Sequence, residues 1–302
     1  MVVDSTVDLI GNTPMISLRK LTGMSIYGKA EFLNPGGSIK DRIAKYMIEQ
    51  AEERGVLKKG MTIMEPTSGN TGIGIAFVGV QKGYKVVIVM PENMSDERKK
   101  LIRSLGAELI LTPSQESIGG SVEEVERRAK GDSSVFIPQQ FANSDNPQIH
   151  YITTGPEIWQ QLKGKVDVFV SGIGSGGTIT GIGRFLKEKN PNCRIVAVEP
   201  KNVSALLGHR PGIHKIQGIG DGFIPQIMDT SIVDDIVEVE DDDAINVARE
   251  LTVTQGILAG ISSGANIWAS RMMGEKLGKD KVIATILVDR AERYFSAGLF
   301  ED

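Results

Sequence analysis

With 302 residues, 40% of them apolar and 24% charged, the chain has the makeup of an ordinary globular protein and is long enough to bury a core in two lobes. Its net charge of -4 gives no electrostatic case for nucleic acid or an anionic membrane as a partner. One cysteine, Cys193, rules out a disulfide framework or a thiolate metal site within the chain. His150, His209 and His214 show no ligand spacing, so no metal is expected. The opening MVVDSTVDLIGNTP carries two acids and no basic stretch, which does not read as a signal peptide. The longest apolar runs, 86–90 and 283–288, have strand length, and a cytoplasmic location is expected.

Along the chain, short apolar runs alternate with helical patterns. The first pattern, 38–54, places Ile39, Ile43, Tyr46, Met47 and Ala51 on one face and stops at Gly55. Strand-like runs follow at 61–65 and 85–90, then a helix over 97–105 with Ser95-Asp96 as its cap and Gly106 as its end, then a strand over 108–111. SQESIGGS, from Ser114 to Ser121, reads as a loop, and QQFANSDNP as a crossing between lobes with a boundary near 145. Further strands are expected at 166–170, 194–198 and 282–288, with a helix over 266–278 before the last. Runs apolar on both faces suit a parallel sheet covered by helices, so the expected fold is α/β with right-handed βα crossovers.

Three glycine-rich segments follow strand-like runs. Thr67-Ser68-Gly69-Asn70-Thr71-Gly72 offers backbone N–H groups, hydroxyls and an amide suited to a carboxylate, although a plain βα turn has the same composition. Gly172-Ile173-Gly174-Ser175-Gly176-Gly177-Thr178 lets the backbone approach a phosphate. It also satisfies G-x-G-x-x-G, with Glu199 22 residues beyond Gly177, so a nicotinamide or flavin oxidoreductase is a rival reading. Gly260-Ile261-Ser262-Ser263-Gly264-Ala265 opens the helix 266–278, with its serines either capping it or turned to a ligand. Lys40, in NPGGSIKDR, sits in a first helical turn where the dipole favours anions. Such a lysine is usually a solvated surface residue. A positive helix end beside it lowers its pKa, and a neutral amine is what Schiff-base chemistry needs.

Taken together, NPGGSIKDR, PTSGNTG, QQF, TGPEIW, GSGGTITG, HKIQGIG and GISSGA resemble the cysteine synthase (O-acetylserine sulfhydrylase) family, within the tryptophan-synthase-β-like pyridoxal-phosphate (PLP) enzymes of fold type II. The resemblance covers nearly the whole chain, in the family's order. It implies two lobes, each with a mostly parallel twisted sheet, and PLP in the cleft between them. The larger PLP-binding lobe would comprise 1–36 plus 146–302, and a smaller mobile lobe 37–145. Lys40 would carry the cofactor and act as base and acid at the substrate's α-carbon. Asn70 would meet the cofactor's phenolic oxygen, Gly174, Ser175, Gly176, Gly177 and Thr178 its phosphate, and Ser262 its pyridine nitrogen. Thr67, Ser68, Thr71 and Gln140 would hold the substrate carboxylate. The implied reaction is conversion of O-acetyl-L-serine and sulfide to L-cysteine and acetate through an aminoacrylate intermediate. O-phosphoserine sulfhydrylase and cystathionine β-synthase-like activities are alternatives. A homodimer is implied, together with binding of the C-terminal tail of serine acetyltransferase.

Three positions depart from the family's pattern. Asp221 stands where a small residue is common, and a carboxylate at the substrate mouth would oppose anionic leaving groups. Arg290 and Ala291 replace a usual serine and glycine, and Arg290 would attract a phosphorylated substrate if it faced the cleft. Ser144 replaces a common proline.

Overall fold

The computed structural model describes residues 2–67 and 69–300. Among the described residues the strands are β1 (Met15–Ser17), β2 (Ile26–Ala30), β3 (Thr62–Pro66), β4 (Lys85–Pro91), β5 (Glu108–Thr112), β6 (Val135–Phe136), β7 (Val168–Gly172), β8 (Arg194–Pro200), β9 (Asp235–Val239) and β10 (Ile283–Leu287). They form a six-stranded sheet in the order β1-β2-β10-β7-β8-β9 and a four-stranded sheet in the order β5-β4-β3-β6. All pairings are parallel except β1 with β2. The helices are α1 (Arg19–Thr22), α2 (Lys40–Glu53), α3 (Asn70–Gln81), α4 (Asp96–Ser104), α5 (Ser117–Ala129), α6 (Asp145–Ile149), α7 (Gly155–Gln161), α8 (Gly177–Lys189), α9 (Asp241–Gln255) and α10 (Ile261–Leu277). Among the described residues no helix is long and apolar enough to cross a membrane.

The two-sided burial of the central strands follows from their period of two. Val168, Val170, Val196, Val198, Ile283 and Leu287 point into one core. The residues between them, Phe169, Ile195, Ala197, Ala284 and Ile286, point into a second core on the other face. The four-stranded sheet repeats the arrangement, with Ile63, Val86, Ile88 and Met90 on one side and Met64, Val87 and Val89 on the other. Strands with no polar face must have helices above and below, which is why the apolar runs were legible as parallel sheet.

Some elements differ from expectation. β1, β2, β6 and β9 lie outside the expected set. β6 has only two residues, and β2 carries Lys29, a residue that disfavours a buried strand until Glu157 pairs with it at 2.8 Å. The loop expected over 114–121 is a 3-10 turn, Ser114–Glu116, running into α5. Two glycines lower the propensity there, but Val125 of α5 packs into the core with Met64, Val87 and Val89, and Ser121 Oγ pairs with Thr112 Oγ1 at 2.8 Å, so tertiary fit overrides it. α10 begins at Ile261 rather than 266, which brings Ser262 and Ser263 into its first turn behind Gly260. Ser95 occupies the N-cap of α4 without making a cap bond, and its buried hydroxyl is unpartnered among the described residues.

The start of α2 is fixed by charge. Arg42, two residues after Lys40, donates to Glu31 at 2.7 and 2.8 Å and to Glu157 at 2.8 and 2.7 Å, so one guanidinium clamps two carboxylates. Glu31 is fully buried, and although that burial pushes its carboxyl up, Arg42 holds it below the ordinary range. The helix that carries Lys40 is thereby bolted to the turn just after β2 and to α7 on the six-stranded side.

Candidate active site

A cavity of about 350 Å³ opens at the C-terminal ends of β3, β7 and β10, where ligands of open parallel sheets gather. Its walls include Lys40, Thr67, Asn70, Thr71, Gln140, Gly174, Ser175, Gly176, Thr178 and Ser262. Residues expected from five separate segments are thus brought together. Gly177 is buried just behind the wall, at the first position of α8, and Ser68 lies outside the described residues.

The glycine segment after β7 is a cradle that only glycines permit. A Cβ at Gly174 would come within 2.4 Å of the Gly218 carbonyl oxygen, and one at Gly177 within 1.9 Å of Asn146 Oδ1. Gly176 caps α8 in the left-handed conformation at φ 79°, and among the described residues no side chain caps the helix's first N–H groups. Those free N–H groups, with the Ser175 and Thr178 hydroxyls, suit a phosphate monoester. Ser175 Oγ also accepts from Asn146 Nδ2 at 3.0 Å, and Thr178 Oγ1 lies 3.3 Å from His150 Nε2. Burial, with Arg42 and Lys40 nearby, pushes His150 well below its usual pKa, so a neutral imidazole backs the cradle.

Lys40 Nζ reaches into the cavity from the first turn of α2, 3.4 Å from Ser175 Oγ. Burial lowers its pKa to about 8, with Asp221 and then Asp289 opposing the shift. An amine in this condition beside a phosphate cradle fits the attachment of pyridoxal phosphate.

Across the cavity, Thr71 Oγ1 donates to Gln140 Oε1 at 2.6 Å, and the Gly69 N–H donates to Thr67 Oγ1 at 3.1 Å. Glu65 supports this wall by accepting the backbone N–H groups of Gln139 and Gln140 at 2.9 and 3.0 Å. Burial raises the Glu65 carboxyl from 4.5 to about 7, against those two hydrogen bonds. Its folded pKa lies above the unfolded value, so its contribution to stability declines as pH rises from 4.5 to about 7 and then levels off. Glu65→Gln is expected to remove that decline, about 1.4 kcal/mol per pH unit at its steepest, as measured by urea unfolding of both proteins across the window.

Asn70 is locked from behind. Its Nδ2 donates to Asp289 Oδ2 at 2.6 Å, its Oδ1 accepts from Arg293, and Tyr294 donates its hydroxyl to the same Asp289 oxygen at 2.5 Å. One amide N–H of Asn70 remains for a ligand. The two serines of α10 separate by function, because Ser263 Oγ accepts from the Val288 N–H at 2.8 Å while Ser262 lines the cavity. Arg290 donates to the Phe32 carbonyl at 3.1 Å and is not among the residues lining the cavity, whereas Asp221 is. Arg42, Asn146, His150, Asp289 and Arg293 carried no motif of their own that marked them. Arg42 lies within NPGGSIKDR and Asn146 within QQFANSDNP, but the value of all five lies in partners outside their own segments.

Comparison with known proteins agrees with this geometry. Residues 7–289 match the family model described as pyridoxal-phosphate dependent enzyme. A cysteine synthase of Staphylococcus aureus is 49% identical over 302 residues, covering 99% of this chain and 97% of that relative. Among solved structures, a cysteine synthase from Entamoeba histolytica superposes with a TM-score of 0.96 at 40% identity, covering 100% of this chain and 92% of that one. A hydrogen sulfide-producing enzyme from Fusobacterium nucleatum gives a TM-score of 0.94 at 43% identity, covering 97% and 100%. An O-acetylserine-dependent cystathionine β-synthase from Helicobacter pylori gives 0.95 at 39% identity, covering 99% of each chain. With a lysine, a glycine cradle and a hydroxyl-lined loop in one cavity and a match across nearly its whole length, the chain belongs to the pyridoxal-phosphate dependent enzyme family.

Proposed function

We propose that the protein is a cysteine synthase, converting O-acetyl-L-serine and sulfide to L-cysteine and acetate by replacement at the β-carbon. The observation that carries this reading is the buried, pKa-lowered amine of Lys40, set between the Ser175 end of the cradle and the Thr67–Thr71–Gln140 wall. Likeness to the S. aureus cysteine synthase supports the substrate pair.

Gly174, Ser175, Gly176, Gly177 and Thr178 would hold the cofactor's phosphate, Asn70 its phenolic oxygen and Ser262 its ring nitrogen. Bound pyridoxal phosphate supplies an electron sink conjugated to the substrate's α-carbon. Thr67, Ser68, Thr71 and Gln140 bind the carboxylate and orient the Cα–H bond toward Lys40. At neutral pH an amine of pKa about 8 is roughly a tenth unprotonated, far more than an ordinary lysine, so Nζ can take the proton from Cα. The acetate oxygen leaves Cβ with its bonding pair, the sulfide sulfur bonds to Cβ, and Lys40 returns the proton to Cα. A serine at the ring nitrogen does not enforce its protonation, which favours loss of the β-substituent over transamination.

The same proposal takes 37–145 as the lobe that closes over substrate against 1–36 plus 146–302. It includes a cytoplasmic homodimer whose cleft admits the serine acetyltransferase tail, on the strength of the resemblance to cysteine synthases. Holoenzyme given O-acetyl-L-serine and sulfide is expected to release cysteine and acetate in equal amounts. Absence of both would refute the assignment. A clear preference for O-phospho-L-serine, or for homocysteine over sulfide, would move it to the corresponding relative.

A further inference from the structure

The segment ending at Asp221 is pinned against the cradle. The Gly220 N–H donates to the Ile173 carbonyl at 2.9 Å, His214 Nε2 lies 3.0 Å from the Gly220 carbonyl oxygen, and Gly218 O sits where a side chain at Gly174 would be. Asp221 therefore holds a defined place on the cavity wall, open to the cavity's water. Lys40 and His214 are the basic groups facing it, opposing the rise that partial burial gives its carboxyl, and among the described residues no ion pair neutralises it. The other wall cation, Arg98, is held by Gln217, stacks on Tyr294 at 5.0 Å and lies against Gly69 on the carboxylate-binding side. Arg290, the one cation that sequence position suggested for a phosphorylated substrate, is turned away to Phe32.

We infer that Asp221 selects substrates by the charge of the β-substituent, admitting neutral esters such as the acetyl ester and opposing anionic ones such as a phosphate ester. A fixed carboxylate on the wall repels a dianion entering the same cavity, and the cofactor's phosphate in the adjacent cradle would add charge of the same sign. Water in the open cavity screens the repulsion, so the expected discrimination is roughly tenfold rather than the larger value of a dry site. The inference rests on the β-replacement proposed above and names which substrates that site excludes.

The test uses holoenzyme, wild type and Asp221→Asn, titrated with the phosphonate isostere of O-phospho-L-serine and with L-norvaline, and read from the cofactor's absorbance. The variant is expected to tighten the phosphonate relative to norvaline roughly tenfold at low salt, with the gain shrinking as salt screens it. A relative change below about twofold, or an equal gain for both ligands, would overturn the inference. Because binding is read without turnover, the result stands even if O-acetyl-L-serine gives no cysteine, and that failure would count against the β-replacement alone.

Discussion

Lys40→Ala is expected to lower kcat/KM for O-acetyl-L-serine by at least ~1000-fold, because one change removes both the group that carries the cofactor and the base at Cα. The fold should survive it. Among the described residues the amine makes a single long hydrogen bond, to Ser175 at 3.4 Å, and removing a desolvated amine relieves a burial cost. Unfolding midpoints of the two proteins are therefore expected to agree closely, while the wild type's visible absorption band is lost in the variant. Retention of even a tenth of the activity would mean that another group takes the proton, and the reading of this cavity would fail.

The second large effect concerns stability. Arg42→Met is expected to cost about 3–5 kcal/mol, read from urea unfolding, because it strands two carboxylates that the guanidinium now holds. Glu31 has no exposure, and Lys29, the remaining cation of the cluster, already pairs with Glu157 at 2.8 Å. A loss below 1 kcal/mol would show that water or a shifted Lys29 replaces the clamp. The same variant should raise KM or weaken cofactor retention, since Lys40 is placed by the helix start that Arg42 anchors. A stability loss with unchanged cofactor affinity would separate the anchor from the site.

Much of the site was visible in the chain itself because its parts are local. NPGGSIKDR, TSGNTG, GIGSGGT and GISSGA are each a strand or loop followed by a helix start, and a helix start presents N–H groups whatever lies elsewhere in the fold. The sequence left open whether GIGSGG served a single phosphate or a dinucleotide. The presence of Lys40 in the same cavity, 3.4 Å from Ser175, favours the former. Glu199, the acid that the dinucleotide reading needed at a ribose, instead accepts from Ser204 Oγ and the Ala205 and Leu206 N–H groups, inside the six-stranded side. Which of Ser262 and Ser263 faces a ligand also needed the structure, since it depends on where α10 begins and on the N–H of Val288, 25 residues away from Ser263.

The apolar runs and glycine punctuation by themselves determined the α/β class, the strands β3, β4, β5, β7, β8 and β10, and the position of Lys40 and of the glycine-rich turns at helix starts. Burial period and backbone stereochemistry are properties of neighbouring residues. Tertiary structure alone decided the strands β1, β2, β6 and β9, the clamp of Arg42 on Glu31 and Glu157, the locking of Asn70 by Asp289 and Arg293, and the facing of Asp221 into the cavity while Arg290 turns out. Each of these depends on an ion pair or hydrogen bond between segments far apart in the chain, and such a bond has no local signature, because its partner is chosen by the fold and not by the sequence around it.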